Sequence, residues 1–119
     1  MAIETVGIIG AGQMGGGIAQ VSAVAGFKVV LYDVAADRIE KGLATVSGNL
    51  ARMVASGKLA EDDRKAALDR ISGVTEMSGL ASADLVIEAA TEDESVKRKI
   101  YTALCPQLNP QAIVATNTS

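Results

Sequence analysis

The chain has 119 residues, 49% of them hydrophobic, with a formal net charge of −3, one cysteine and no histidine. That length suits one domain with a real core, and no apolar stretch approaches the ~20 residues a membrane span requires. The acidic balance and the lack of a basic tract argue against nucleic acid or an anionic membrane as partner. A single cysteine makes no internal disulfide, and without histidine the commonest general base near neutral pH is missing.

The first element is a buried strand, Val6 to Ile9, which collapses into Gly10-Ala11-Gly12-Gln13-Met14-Gly15 and becomes a helix over Met14 to Ala25. Gly10, Gly12 and Gly15 stand in G-x-G-x-x-G spacing. Gly10 permits the tight turn, Gly12 lets a pyrophosphate approach the backbone, and Gly15 lets helix and strand pack closely. The free N–H groups and dipole of the helix start then face the phosphates. The alternative is a glycine-rich turn with no ligand. Lys28 to Asp33 is a second strand, so the opening is one parallel, right-handed βαβ unit.

Ala36 to Met53 carries Ile39, Leu43, Val46, Leu50 and Met53 at alternating steps of four and three, the mark of one helical face. Gly42 and Gly48 weaken that helix slightly, and Ser56-Gly57 ends it. A charged helix follows over Glu61 to Arg70, with Ala66, Ala67 and Leu68 as its thin apolar side. Ile71 to Thr75 is a short strand, and Ser78 to Ala83 a loop or single helical turn. Asp84 to Ala90 is a fourth strand, Glu92 to Leu108 a helix stopped by Asn109-Pro110, and Ala112 to Thr116 a fifth strand. Alternating strands and helices predict an α/β fold, a Rossmann-type doubly wound parallel sheet in order 3-2-1-4-5 with helices on both faces. Such folds carry a sixth strand, so the sequence reads as a piece of a longer protein, lacking later strands. The start enters a strand directly, with no basic, apolar leader, which predicts a cytoplasmic location.

Asp33 ends the second strand 18 positions after Gly15, near the ~20 expected of the acid that binds a ribose. Its carboxylate would repel a 2′-phosphate, and Val34 and Ala35 supply no arginine to hold one. The cofactor expected is therefore NAD rather than NADP, with Arg38 one helical turn on. The competing role for Asp33 is an N-cap before Ala36. Glu88, Glu92 and Lys97 lie where the fourth strand hands over to a helix, placed to reach the nicotinamide half; Glu92 and Lys97 read equally well as solvated charges. Asn117 and Ser119 follow the fifth strand on the same edge and are cofactor or substrate contacts, or an ordinary turn. Cys105 sits mid-pattern in its helix as a buried, inert thiol. No metal-ligand constellation is present.

Three stretches together resemble the 3-hydroxyacyl-CoA dehydrogenase family, and its bacterial 3-hydroxybutyryl-CoA subgroup most closely. They are Gly10 to Gln20, then Asp84 to Ala90 with Glu92 and Lys97, then Asn117-Thr118-Ser119. The likeness covers the whole chain in order. It implies an NAD-dependent, reversible oxidation of the 3-hydroxyl of a hydroxyacyl-CoA. By that resemblance Gly10, Gly12, Gln13, Met14 and Gly15 bind the pyrophosphate, and Asp33 the adenosine ribose. Glu92 and Lys97 contact the nicotinamide side, Asn117 lies at the cofactor, and Ser119 touches both cofactor and the reacting substrate oxygen. Where family members hold the CoA phosphates with serine and lysine, this chain has Asn49, Arg52, Ser56 and Lys58; Arg52 and Lys58 keep suitable charge.

In the family a histidine held by a glutamate takes the hydroxyl proton, and a separate helical domain completes the pocket and mediates homodimerisation. Those parts match nothing here, so residues 1–119 are expected to be the NAD-binding domain alone, inactive by itself. Two other readings remain: another β-hydroxyacid dehydrogenase, and a non-catalytic NAD-sensing regulatory module.

Overall fold

The computed structural model describes residues 3–89 and the backbone of strand 113–116. The elements are β1 (Thr5–Ile9), α1 (Gln13–Val24), β2 (Lys28–Tyr32), α2 (Ala36–Ala55), α3 (Glu61–Asp69) and β3 (Ile71–Val74). A 3-10 helix (Met77–Leu80), β4 (Leu85–Glu88) and β5 (Ile113–Thr116) complete them. All five strands join one sheet in the order β3-β2-β1-β4-β5, and every pairing is parallel. The order agrees with the sequence expectation, and the loop or turn expected over 78–83 overlaps the 3-10 helix, which starts one residue earlier at Met77. The helix expected over 92–108, and Cys105 within it, lie outside the described residues.

Residue alternation along the strands explains why both faces of the sheet are covered. Val6, Ile8, Val29, Leu31 and Ile71 point to one side, where they pack with Ala19, Ala23, Ile39, Val46, Leu50 and Ala67 from the three α-helices. Ile9 and Tyr32 point to the other, against Leu80, Ala83 and Val86. Full burial of each Leu, Ile or Val contributes about 1.5–3 kcal/mol.

The helices reach this sheet by different means. The buried side of α1 is Gly15, Gly16, Ala19 and Ala23, a stripe of small residues that lets the helix lie close to the strands. The buried side of α2 is Ile39, Gly42, Val46 and Leu50. In α3, Glu61, Asp62 and Asp63 occupy the first turn, where acidic groups complement the helix dipole. Arg64 of α3 bonds Glu61 at 3.0 Å and reaches the Ser47 hydroxyl of α2 at 3.2 Å.

The β4 strand begins one residue later than expected, at Leu85, and Asp84 stands at its entry, its N–H donating to the Thr5 carbonyl at 2.8 Å. The Asp84 Oδ2 accepts hydrogen bonds from the backbone N–H groups of Glu4 at 2.9 Å and Thr5 at 3.1 Å. Asp84 thereby fixes the entry of β4 against the start of β1. Those two bonds hold its carboxyl below the usual value.

Candidate functional site

In an open parallel sheet the carboxyl ends of the strands frame a crevice where the order reverses, here between β1 and β4. β1 runs out at Ile9, and Gly10 turns the chain with φ +106°, a left-handed conformation that favours glycine. The Gly10 N–H donates to the Tyr32 carbonyl at 2.8 Å, extending the β1–β2 ladder by one bond. Gly12 caps α1 with extended backbone, and the Gly16 N–H donates to the Gly12 carbonyl at 2.8 Å. The N–H groups of Gln13, Met14 and Gly15 thus precede the first helical bond and have no acceptor within the helix.

A diphosphate fits this turn on three counts. A Cβ on Gly12 would meet nothing within 4 Å, so the space over its backbone is open. A Cβ on Gly15 would overlap the Gly10 carbonyl oxygen, so the close packing expected there is present. The first turn of α1 also carries no acidic residue to oppose an anion.

Asp33 stands beside this turn at the end of β2 and is only 6% exposed. Its Oδ2 accepts the Ala11 N–H at 3.0 Å and its Oδ1 accepts the Ala35 N–H at 3.1 Å. The bond to Ala35 precedes α2, whose N-cap is Ala35 with no side-chain cap, so Asp33 does not cap the helix at Ala36. Each carboxylate oxygen keeps acceptor capacity for a further donor. Val34 beside it is 77% exposed. Burial first, and then the charge of Asp33, raise the pKa of neighbouring Tyr32.

Glu88 differs from the sequence expectation. It lies in register with Ile9 and with Thr116, but its side chain is fully enclosed, at 0% exposure, rather than open to the crevice. Alternation along β4 puts it on the same face of the sheet as Val86. Glu92, Lys97, Asn117 and Ser119 lie outside the described residues.

A groove of about 620 Å³ flanks the glycine turn between α1 and α2, with Gln13, Gly17, Arg38, Lys41, Thr45 and Asn49 among its lining. Asn49 donates its amide to the Gln20 side chain at 3.1 Å, linking the two helices. Asp33, Arg52 and Lys58 do not line this groove; Arg52 lies in the last turn of α2 and Lys58 just beyond it. Motif spacing singles out neither Lys41 and Thr45, which line this groove, nor the Ala11 N–H, which holds Asp33.

The sequence model of the 3-hydroxyacyl-CoA dehydrogenase NAD binding domain matches residues 5–119. The chain belongs to this family. Among relatives of the domain, a 3-hydroxybutyryl-CoA dehydrogenase of Bradyrhizobium diazoefficiens is 56% identical over 98% of the chain, which spans 40% of that protein. A 3-hydroxyadipyl-CoA dehydrogenase of Escherichia coli K12 is 40% identical over 98% of the chain and 25% of its own length. The crystal structure of (S)-3-hydroxybutyryl-CoA dehydrogenase from Ralstonia eutropha superposes with a TM-score of 0.96 at 46% identity, covering 99% of this chain and 42% of that one. The glycine turn and Asp33 are thus parts of a 3-hydroxyacyl-CoA dehydrogenase NAD-binding domain. Among the described residues, no helix is long and apolar enough to cross a membrane.

Proposed function

We propose that this chain is the cofactor-binding part of an NAD-dependent dehydrogenase that reversibly oxidises the 3-hydroxyl of a hydroxyacyl-CoA such as 3-hydroxybutyryl-CoA. The observation that carries the reading is the junction of two features at one edge of the sheet. A glycine-lined helix start without a side-chain cap lies beside a carboxylate that is held by two backbone N–H groups. NAD, when bound, supplies the hydride acceptor. The turn from Gly10 to Gly15, with Gln13 and Met14, would hold its diphosphate through backbone N–H groups. Asp33 would accept hydrogen bonds from the adenosine ribose hydroxyls and exclude a 2′-phosphate by charge.

The remaining roles follow the family likeness. Glu92 and Lys97 serve the nicotinamide side, Asn117 contacts the cofactor, and Ser119 touches both the cofactor and the reacting oxygen. Arg52 and Lys58 stay the candidates for the CoA phosphates, with Arg38 and Lys41 of the α1–α2 groove nearer the turn. With no histidine in these 119 residues, proton abstraction by histidine would come from a further, helical domain. The same reading makes the whole protein a cytoplasmic homodimer that binds acyl-CoA and neither nucleic acid nor membrane.

Fluorescence titration of NADH and NADPH into the chain tests the cofactor half of the reading. NADH binding that is tighter than NADPH binding by about tenfold or more supports it; equal affinities contradict it. Oxidation of (S)-3-hydroxybutyryl-CoA by the product of the complete reading frame, and not by residues 1–119, tests the substrate half. A complete protein that binds NADH and leaves every 3-hydroxyacyl-CoA untouched would instead favour an NAD-sensing module.

A further inference from the structure

Glycine is a poor residue for a helix interior, yet α2 carries two, Gly42 and Gly48. Their surroundings differ. A Cβ on Gly48 would meet only the end of the Arg52 side chain, 3.9 Å away. A Cβ on Gly42 would lie 2.9 Å from the Ala11 carbonyl oxygen, 3.6 Å from the Ala11 Cβ and 3.7 Å from Leu31 Cδ2. On the other side Gly16 of α1 faces the Gly42 carbonyl in ordinary contact, 4.0 Å from where a Cβ would stand. Here α2 crosses α1 glycine on glycine, with its backbone pressed against the turn.

The contact has a chemical consequence. The Ala11 carbonyl and the Gly12 N–H belong to one planar, trans peptide unit and point in opposite directions. Because the oxygen faces α2, the N–H points away from α2 and out of the turn. The Ala11 N–H is already held by Asp33, so the preceding peptide is fixed on its other side. Pressure on the Ala11 oxygen therefore rotates the Ala11–Gly12 peptide and re-aims the Gly12 N–H.

We propose that Gly42 is a positioning residue for dinucleotide binding: its missing side chain sets the orientation of the Ala11–Gly12 peptide, and so the aim of the turn at a diphosphate. The inference rests on the cofactor reading above and adds to it a residue outside the glycine motif.

The test compares Gly42→Ala with Gly48→Ala and the unaltered chain, using ADP-ribose, which carries the diphosphate, and adenosine, which does not. Gly42→Ala is expected to weaken ADP-ribose about tenfold and adenosine less than about twofold, while Gly48→Ala changes neither. A purely structural defect would weaken both ligands together, and that result, or no change in ADP-ribose affinity, overturns the proposal. A measurement on the unaltered chain covers the case in which Gly42→Ala does not fold. ADP-ribose should shift the backbone amide resonance of Gly42, adenosine should leave it in place, and Gly48 should respond to neither. An unmoved Gly42 resonance under saturating ADP-ribose overturns the proposal. If the unaltered chain binds neither ADP-ribose nor NADH, the cofactor reading itself fails and this inference falls with it.

Discussion

The Asp33 carboxylate and the Ala11 backbone N–H are hydrogen-bonded at 3.0 Å although 22 residues separate them. The bond joins the end of β2 to the turn after β1, and a second bond from the Ala35 N–H holds the other carboxylate oxygen. Asp33 is therefore structural before any cofactor arrives. Leaving a buried N–H unsatisfied costs about 1–3 kcal/mol. Asp33→Ala should lower the stability of the cofactor-free chain by about 2 kcal/mol in urea unfolding. Asp33→Asn, which keeps one acceptor oxygen, should lose less. Equal stability of Asp33→Ala and the unaltered chain would remove this structural role.

The same residue should set cofactor choice. Val34 is exposed next to Asp33, so an arginine there would extend into solvent beside the ribose position. The double variant Asp33→Ala with Val34→Arg should reverse the preference from NADH to NADPH, a swing of about a hundredfold or more in the affinity ratio. Fluorescence titration of both nucleotides reads it directly. An unchanged ratio would mean that discrimination lies elsewhere, with Arg38 the next residue to vary.

Much of this was legible in the sequence because the signals were local. The steps of four and three from Ile39 to Leu50 define the face of α2 that is buried. Alternation and short apolar runs located the strands, and parallel pairing followed from the helices between them. The ends of elements were less legible: Asp84 reads as the first residue of a strand, but its side chain bonds back to Glu4 and Thr5, 80 and 79 residues away. Glu88 reads as a crevice residue, yet its place in the alternation of β4 encloses it. Gly42 shows the limit best. Along the chain it only weakens a helix; its contact with Ala11 arises from the crossing of α2 over the turn.

Asp84 gives the fold a defined response to acid. Its folded-state pKa lies below the ordinary value of 3.8, chiefly because the Glu4 and Thr5 N–H groups bond the ionised form. The unfolded chain therefore binds the proton more readily. Its stabilising contribution is complete above 3.8 and is lost as the pH falls through the folded-state value. Asp84→Asn should lower the melting temperature at pH 7, and the gap to the unaltered chain should narrow as the pH falls below that value. A gap of constant size across the acid range would contradict the assignment.

Gly12 and Gly15 separate binding from folding, since a Cβ on Gly12 enters open space and one on Gly15 overlaps the Gly10 carbonyl oxygen. The direct measurement is NADH affinity and unfolding stability of Gly12→Ala beside Gly15→Ala. Gly12→Ala should keep its stability within about 1 kcal/mol, the loss of a capping glycine offset by lower unfolded-chain entropy. It should nevertheless lose NADH affinity at least about tenfold, whereas Gly15→Ala should lose both stability and binding. A Gly12→Ala chain that binds NADH as tightly as the unaltered one would contradict the claim that this turn holds the diphosphate.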